Sequence, residues 1–167
     1  DVYKRQNLLT IGQSIIFCAK RHTADKIAQR MTAEGHRVDS LHGKLDTSAR
    51  DRTIDDFRSG KCKVLIATNV IARGIDIQQV TLVINYDMPL TQSGEPDADT
   101  YLHRVGRTGR FGRKGVSINF VHDEKSKQQM EAIERALHCR IVPVQTDDLE
   151  EMESTIKEAL KSSQGSQ

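Results

Sequence analysis

Ser14–Leu41, SIIFCAKRHTADKIAQRMTAEGHRVDSL, decides the fold class because it contains a complete strand–helix–strand unit. Its first six residues form a short apolar run rich in branched side chains, which favours a buried strand. Four small or apolar residues then recur at helical spacing: Ala24, Ile27, Ala28 and Met31. Gly35 marks the end of this helix, and Val38–Leu41 is predicted as the next strand.

The same alternation continues along the chain. Further strands are predicted at 64–67, 82–86, 116–121 and 141–144. Helices are predicted at 48–58, around 130–137 and at 149–161, with a short helical turn at 70–73 and an exposed loop at 87–99. Strands that alternate with helices predict an α/β fold with right-handed crossovers, a parallel sheet buried on both faces, and ligands at the carboxyl ends of the strands.

The composition indicates one soluble domain. The 167 residues include 37% hydrophobic and 29% charged residues, which is typical of a folded chain rather than a disordered one. We expect residues 11–161 to form the domain. Residues 1–10 fit no element and are interpreted as an extension or scar, and residues 162–167 as a flexible tail. No apolar run approaches the roughly 18 residues of a membrane helix, so we expect no contact with membranes.

Cysteine and histidine spacing does not favour a metal site. The three cysteines form no CxxC pair, and no two histidines stand at HxxxH spacing. Reduced thiols are typical of the cytosol or nucleus, where we expect this protein. The net charge of +2 is too small to predict a nucleic-acid partner by itself, so the local charge distribution matters more.

The strongest local charge lies around Tyr101–Arg110, YLHRVGRTGR, which sets three arginines at three-residue spacing among glycines: Arg104, Arg107 and Arg110. Arginine presents a planar fork of donors that matches phosphate oxygens, and the glycines let backbone and anion approach closely. No acidic residue falls between His103 and Gly115 to neutralise this charge. The segment therefore predicts a phosphate contact, with a solvated basic turn as the alternative.

Two more polar clusters follow predicted strands, at 19–23 and 68–76, and we expect all three clusters to share one edge of the sheet. In ATNVIARGID, Ala67–Asp76, the Asp76 carboxylate is suited to accept hydrogen bonds from ribose hydroxyls. The alternative is that Asp76 only caps or solvates a turn.

LHGKLDTSAR, Leu41–Arg50, joins a glycine turn to a helix N-terminus. Free amides there, with Arg50 in the first turn, predict a site for a nucleic-acid phosphate. His42 is interpreted as a structural residue, because no carboxylate or nucleophile stands beside it in sequence.

Two parts of a complete nucleotide site are missing. The chain has no GxxxxGK[ST] phosphate loop and no acidic pair after an apolar strand that would hold magnesium. Phosphate-binding arginines without a phosphate cradle predict a domain that supplies arginine fingers to a nucleotide held mainly by another domain.

Four motifs in this order resemble the second RecA-like domain of DEAD-box RNA helicases: SIIFCAKR, the LHG with its arginine-bearing helix, ATNVIARGID and YLHRVGRTGR. The resemblance implies a RecA-like three-layer sandwich, with the parallel sheet between two layers of helices. The long segment 88–104 and the segment 142–160 also resemble the branch that acts in messenger RNA export at the nuclear pore.

The resemblance also implies roles for individual residues. Arg107 and Arg110 match the catalytic arginine fingers on the γ-phosphate of ATP, and Gly74 and Asp76 match positions at its ribose. The family's positions that contact the RNA backbone are matched by Arg21, Gly43, Arg50, Thr68 and Asn69. His103 and Arg104 match positions that link the two RecA-like domains. The family's QxxR motif reads TSAR here. Thr47 replaces the glutamine, which puts the RNA contact of that position in question.

The expected partners follow from the same resemblance: single-stranded RNA, ATP, and an N-terminal RecA-like domain that holds most of the Mg²⁺ contacts. The chain alone is then an inactive half of an ATP hydrolase, and we expect a monomer. In the export branch an activator binds this domain with inositol hexakisphosphate at the cytoplasmic face of the nuclear pore. Lys157 and Lys161 are the candidates for that polyanion, or else two solvated lysines at a helix end. A stand-alone RNA-binding or regulatory module without nucleotide is the alternative function.

Overall fold

Five parallel strands run through the described part of the chain, residues 12–68, 80–108, 115–144 and 149–162 of a computed structural model. The strands are β1 Gln13–Cys18, β2 Val38–Leu41, β3 Val64–Thr68, β4 Val80–Asn85 and β5 Val116–Asn119. Their order across the sheet is β2-β3-β1-β4-β5. The predicted parallel α/β sheet is confirmed, with β1 at its centre.

The described helices connect or flank these strands. They are α1 Arg21–Ala33, α2 Thr47–Arg58, α3 Ala98–Val105, α4 Glu124–Leu137 and α5 Leu149–Ser162. All of them except α3 were predicted, either close to their described bounds or as periodic segments inside them. Within the described residues, none of the helices is long and apolar enough to cross a membrane.

Alternate residues of β1 face opposite layers of helices. Ile15 and Phe17 belong to the apolar cluster that includes Phe57 of α2. Ile16 and Cys18 belong to a second cluster that includes Ala24 of α1. Because side chains along a strand alternate between the two faces, this division places α1 and α2 on opposite sides of the sheet. The predicted three-layer arrangement, with a sheet buried on both faces, is confirmed.

The strand register brings the carboxyl ends of the strands to one edge. Cys18, the last residue of β1, pairs with Thr68, the last residue of β3. On the other side, Phe17 pairs with Asn85, and Asn85 pairs with Asn119. The last residues of the five strands therefore lie side by side, at what we call the carboxyl edge.

The predicted strand at 141–144 is wrong. Among the described residues this segment pairs with no strand, and Val142 and Val144 are 64% and 37% exposed. Ile141 instead packs beside the cluster that joins α3 to α4, and its backbone N–H donates to the Glu134 side chain of α4. The apolar pattern here reflects one buried contact, whereas a strand of a sheet needs a neighbouring strand to pair with its backbone.

Helix α3 was not predicted, because the region from 87 to 99 was interpreted as an exposed loop and the arginine run as its continuation. The helix begins after Asp97, whose carboxylate accepts a hydrogen bond from the Thr100 backbone N–H at 2.9 Å. Asp99 in the first turn and Arg104 in the last turn complement the helix dipole. These capping signals were available in the sequence. The helical turn predicted at 70–73 lies outside the described residues.

Candidate functional site

Three of the predicted RNA-contacting residues are brought together at the carboxyl edge. Arg21 is the first residue of α1 after β1, Gly43 lies in the turn after β2, and Arg50 lies in the first turns of α2. All three are exposed. Thr68 ends β3 at the same edge but is only 7% exposed, and Asn69 lies outside the described residues.

Two further lysines at this edge were missed by sequence reasoning. Lys20 lies at the N-cap of α1, beside Arg21, and Lys44 lies beside Gly43; both are exposed. We call Lys20, Arg21, Gly43, Lys44 and Arg50 the carboxyl-end surface. Its four positive side chains provide a local field suited to a phosphate backbone. Only the fold reveals this surface, because its members come from three separate segments.

One backbone donor at the N-terminus of α2 already has a side-chain partner, and the anion site predicted there stays a prediction. Asp46 is the N-cap, and its carboxylate accepts a hydrogen bond from the Ala49 backbone N–H at 2.7 Å. A side-chain anion therefore already occupies a donor that was predicted to hold phosphate. The Arg50 side chain and the turn around Gly43 are exposed beside this cap.

His42 has a carboxylate neighbour in space, although it has none in sequence. The His42 side chain is largely buried, and its Nε2 lies 3.4 Å from Oδ1 of Asp25 in α1. Ser40 also donates to the same carboxylate oxygen, at 3.2 Å. This contact ties the end of β2 to α1, which supports the structural interpretation of His42.

The arginine run is divided between the two ends of the sheet. The Arg104 guanidinium reaches Asn85 and Asp87 at the carboxyl edge, whereas Thr108 lies at the opposite end, and Arg110 lies outside the described residues. Thr108 forms a parallel bridge with Val80, the first residue of β4. A Cβ atom built on Gly115 would lie 2.2 Å from the Thr108 Cβ, so the chain returns to the start of β5 by passing close to Thr108. The segment from the end of β4 through α3 to Thr108 carries the chain from one end of the sheet to the other. We call the region around Arg107, Thr108 and Gly115 the amino-end arginine segment.

Arg107 directly follows the C-cap of α3. Its backbone N–H donates to the Arg104 carbonyl at 3.1 Å, and the Gly106 N–H donates to the Leu102 carbonyl at 2.8 Å. The Arg107 residue is partly exposed. Its position is therefore set by the helix end, while its side chain has access to solvent.

Arg104 differs sharply from Arg107, because it has no exposed surface. Its Nη1 donates to Oδ1 of Asn85 at 2.8 Å and to the Asp87 carbonyl at 2.9 Å. The guanidinium carbon lies 4.9 Å from the centre of the Phe17 ring, in cation–π contact. Burial lowers the pKa of Arg104 to about 10, against the opposing effect of the Asp87 carboxylate, so it stays charged at neutral pH.

The Arg104 side chain is enclosed within this domain, so any link that it makes to a second domain acts through the position of α3, and this interdomain role stays a prediction. His103, its neighbour on α3, is exposed, and its expected interdomain role stays a prediction. Asp87, whose carbonyl Arg104 binds, also accepts a hydrogen bond from the Ala19 N–H at 2.8 Å through its carboxylate. Arg104 thus joins α3 to the loops that follow β1 and β4.

For five predicted site residues the structure describes no side-chain contact. Gly74, Asp76 and Arg110 lie outside the described residues. Lys157 and Lys161 fall within α5. Their proposed roles therefore rest on sequence.

Two of the three cysteines, Cys18 and Cys62, are buried. Burial raises the pKa of both Cys18 and Cys62 to about 12, with the Asp87 carboxylate adding to the effect at Cys18 and Asp39 at Cys62. Both thiols are protonated at neutral pH and contribute to the apolar clusters. Across the described ranges, no three metal-binding side chains of the His, Cys, Asp or Glu type come together.

The chain matches the family described as "Helicase conserved C-terminal domain" over residues 4–112. It is 79% identical, over 155 residues, to the ATP-dependent RNA helicase DBP5 of Mycosarcoma maydis, covering 93% of this chain and 34% of that protein. The chain thus spans about a third of the length of the curated relatives it matches.

Two solved structures are similar throughout the chain. The S. cerevisiae Dbp5 structure bound to RNA and ADP BeF3 is 51% identical, with a TM-score of 0.85, and the match covers 95% of this chain and 41% of that one. A variant of the S. cerevisiae Dbp5 C-terminal domain bound to Gle1 and IP6 is 49% identical, with a TM-score of 0.86, covering 96% and 89%. The chain therefore belongs to the family of helicase conserved C-terminal domains, within the group of DEAD-box C-terminal domains that includes Dbp5.

Proposed function

We propose that this chain is the second half of an ATP-dependent RNA helicase that remodels RNA–protein complexes during messenger RNA export. The likeness to DBP5 over nearly the whole chain carries this proposal. The geometry supports it, because exposed basic residues and the candidate arginine finger lie at different ends of one sheet. A protein that closes over two ligands, RNA and ATP, needs two such surfaces.

On the nucleotide side, Arg107 and Arg110 are proposed to reach the γ-phosphate of ATP bound mainly by the N-terminal RecA-like domain. Their charge stabilises the negative charge that develops on the phosphoryl oxygens in the transition state. Gly74 and Asp76 are proposed at the ribose. That domain supplies the phosphate loop and the Mg²⁺ ligands, so the chain alone does not hydrolyse ATP.

On the RNA side, Arg21, Gly43 and Arg50 are proposed to hold the sugar–phosphate backbone of a single strand. All three are exposed at the carboxyl edge, and Lys20 and Lys44 add positive charge beside them. Thr68 and Asn69 keep the role that the family resemblance implies. Contacts to phosphate and sugar make such binding largely independent of base sequence.

We also propose a regulatory contact through α5. The related Dbp5 domain is bound to Gle1 and IP6, inositol hexakisphosphate. Lys157 and Lys161 are our candidates for the polyanion, together with an activator protein at the cytoplasmic face of the nuclear pore. Charge reversal at both lysines is expected to weaken stimulation by inositol hexakisphosphate while unstimulated ATP hydrolysis continues, and unchanged stimulation would exclude this site.

The direct test replaces Arg107 by alanine in the full-length protein that contains this chain. RNA-stimulated ATP hydrolysis is expected to fall by about 10³-fold, the magnitude typical of an arginine finger. The matched control is Arg30→Ala, since Arg30 is an exposed arginine of α1 paired with Glu34 at 3.6 Å. Activity retained by Arg107→Ala would exclude the finger assignment.

The carboxyl-end surface also favours a second candidate function, an RNA-binding or regulatory module that does not use nucleotide. That module would bind RNA in a salt-sensitive manner that ATP and a cognate N-terminal domain leave unchanged. A change in RNA affinity when both are added would exclude this alternative.

A further inference from the structure

Two asparagines at the carboxyl ends of neighbouring strands are joined through their side-chain amides. Asn85 is the last residue of β4, and Asn119 is the last residue of β5, with their Cα atoms in register. The Asn85 Nδ2 donates to the Asn119 Oδ1 at 2.8 Å. Neither residue belongs to a motif that the sequence analysis identified.

Each of these amides also binds helix α3. The Asn85 Oδ1 accepts from the Arg104 Nη1 at 2.8 Å, and the Asn119 Nδ2 donates to the Tyr101 hydroxyl at 3.1 Å. Tyr101 and Arg104 are three residues apart and therefore lie on one face of the helix. Helix α3 is thus attached to two adjacent strands at two points.

The direction of every bond in this network is fixed by its neighbours. Arginine can only donate, so Asn85 must present its oxygen to Arg104 and its NH₂ group to Asn119. Asn119 must then present its oxygen to Asn85, which leaves its NH₂ group for Tyr101. The two asparagines therefore accept one arrangement of donors and acceptors, and this arrangement requires both helix residues in their observed positions.

Arg104 also donates to the Asp87 carbonyl and lies over the Phe17 ring, so the amide pair orients α3 together with these contacts. Tyr101 packs with Met88 and with Ile133 of α4 in an apolar cluster, and it is only 6% exposed. Apolar packing holds the helix against its neighbours but does not itself select a rotation about the helix axis. Hydrogen bonds to buried groups select one rotation of the helix, because a rotated helix would leave the fully buried Asn85 without its donor.

Rotation of α3 would move Arg107. Its backbone N–H donates to the Arg104 carbonyl, so this turn ties Arg107 to the last turn of the helix. We propose that Asn119 is a positioning residue for Arg107, because the amide pair that Asn119 completes with Asn85 sets the orientation of the helix end from which this arginine emerges. This inference rests on the proposed role of Arg107 as an arginine finger.

The test uses Asn119→Leu in the full-length protein that contains this chain. Leucine has a similar size and removes both hydrogen bonds of the Asn119 side-chain amide. The kcat of RNA-stimulated ATP hydrolysis is expected to fall by about ten-fold, because small misplacements of a catalytic group are costly, while the KM for ATP changes less than about two-fold. Tyr101→Phe, which removes only the hydroxyl, should lower kcat in the same direction by a smaller factor. Ile118→Val, a change in the same strand, is the control and should retain kcat.

A second measurement separates positioning from a general structural effect. In an Arg107→Lys background, Asn119→Leu should cause no further loss of kcat, because the finger that it positions is already impaired. A full additional ten-fold loss in that background would overturn the inference. So would an unchanged kcat for both Asn119→Leu and Tyr101→Phe. If Arg107→Lys itself has the wild-type kcat, the proposed finger function fails, and this inference fails with it.

Discussion

The two ends of the sheet differ in how their positively charged residues are held. At the carboxyl-end surface, Arg21 and Arg50 stand exposed on separate segments. At the amino-end arginine segment, Arg107 follows a short helix whose preceding arginine, Arg104, is completely buried. Residue type and motif therefore do not determine the role of an arginine. The surroundings place Arg104 in the interior of the domain. Arg107 is left for the proposed nucleotide contact, and Arg21 and Arg50 for the proposed RNA contact.

Removal of the buried arginine is expected to have the largest effect on stability. Arg104→Ala leaves the Asn85 side-chain oxygen and the Asp87 carbonyl without a donor and opens space beside Phe17. We expect the free energy of unfolding to fall by about 3 kcal/mol or more in urea denaturation. Arg104→Lys should recover only part of this loss, because an ammonium group lacks the planar fork.

The matched control for that experiment is Arg58→Ala in α2. Arg58 is exposed, with Nη1 3.9 Å from Oδ1 of Asp55, so its removal should change stability by less than about 1 kcal/mol. If Arg104→Ala is no more destabilising than Arg58→Ala, the contrast between buried and exposed arginines is incorrect.

A second prediction sharpens the description of the amino-end arginine segment. Gly115→Ala places a methyl group 2.2 Å from the Thr108 Cβ, which neither backbone can accommodate without moving. Overpacking of this kind is expected to cost about 1–3 kcal/mol in the free energy of unfolding, measured by urea denaturation. Gly12→Ala is the control, because its nearest atom is the Thr81 Cγ2 at 3.2 Å, and it should cost less.

The close contact can be checked by compensation. Thr108→Gly removes the side chain that the new methyl group would meet, so the Gly115→Ala, Thr108→Gly double variant should be less destabilised than the sum of its single changes. If the changes in the free energy of unfolding are simply additive, residues 108 and 115 are not in the close contact described here.

The smallest predicted effect concerns the carboxyl-end surface. Asp46→Asn keeps an acceptor for the Ala49 N–H but removes a negative charge beside Arg50, so RNA affinity is expected to rise about two-fold at low salt. Asp46→Ala also removes the cap and should cost about 1 kcal/mol of stability. RNA titrations at two salt concentrations check the first effect, and weaker binding by Asp46→Asn would place the RNA elsewhere.

The sequence predicted the sheet well because strands and helices alternate with clear apolar patterns, as in Ile15–Cys18 and the Ala24–Met31 face. It failed at α3, where prolines, a glycine and acids suggested a loop and the capping residue Asp97 was overlooked. That error also misplaced the residues after Arg104, because α3 lies between the end of β4 and Thr108, which is at the opposite end of the sheet.

Other features of the site depend on tertiary contacts and could not be predicted from a single sequence. Arginine is ordinarily a surface residue, so the burial of Arg104 becomes visible only once Phe17, Asn85 and Asp87 surround it. The meeting of His42 with Asp25 likewise depends on how α1 packs against the end of β2. Local patterns describe elements, whereas these contacts join residues far apart in the chain.

The two ends of the sheet are proposed to act on different ligands. The most direct test is single-turnover ATP hydrolysis by the full-length protein, measured across RNA concentrations for Arg50→Ala and Arg107→Ala. Arg50→Ala should need more RNA but reach the wild-type rate at saturation, because it weakens only RNA binding. Arg107→Ala should remain slow at every RNA concentration. Recovery of Arg107→Ala at saturating RNA would contradict the account.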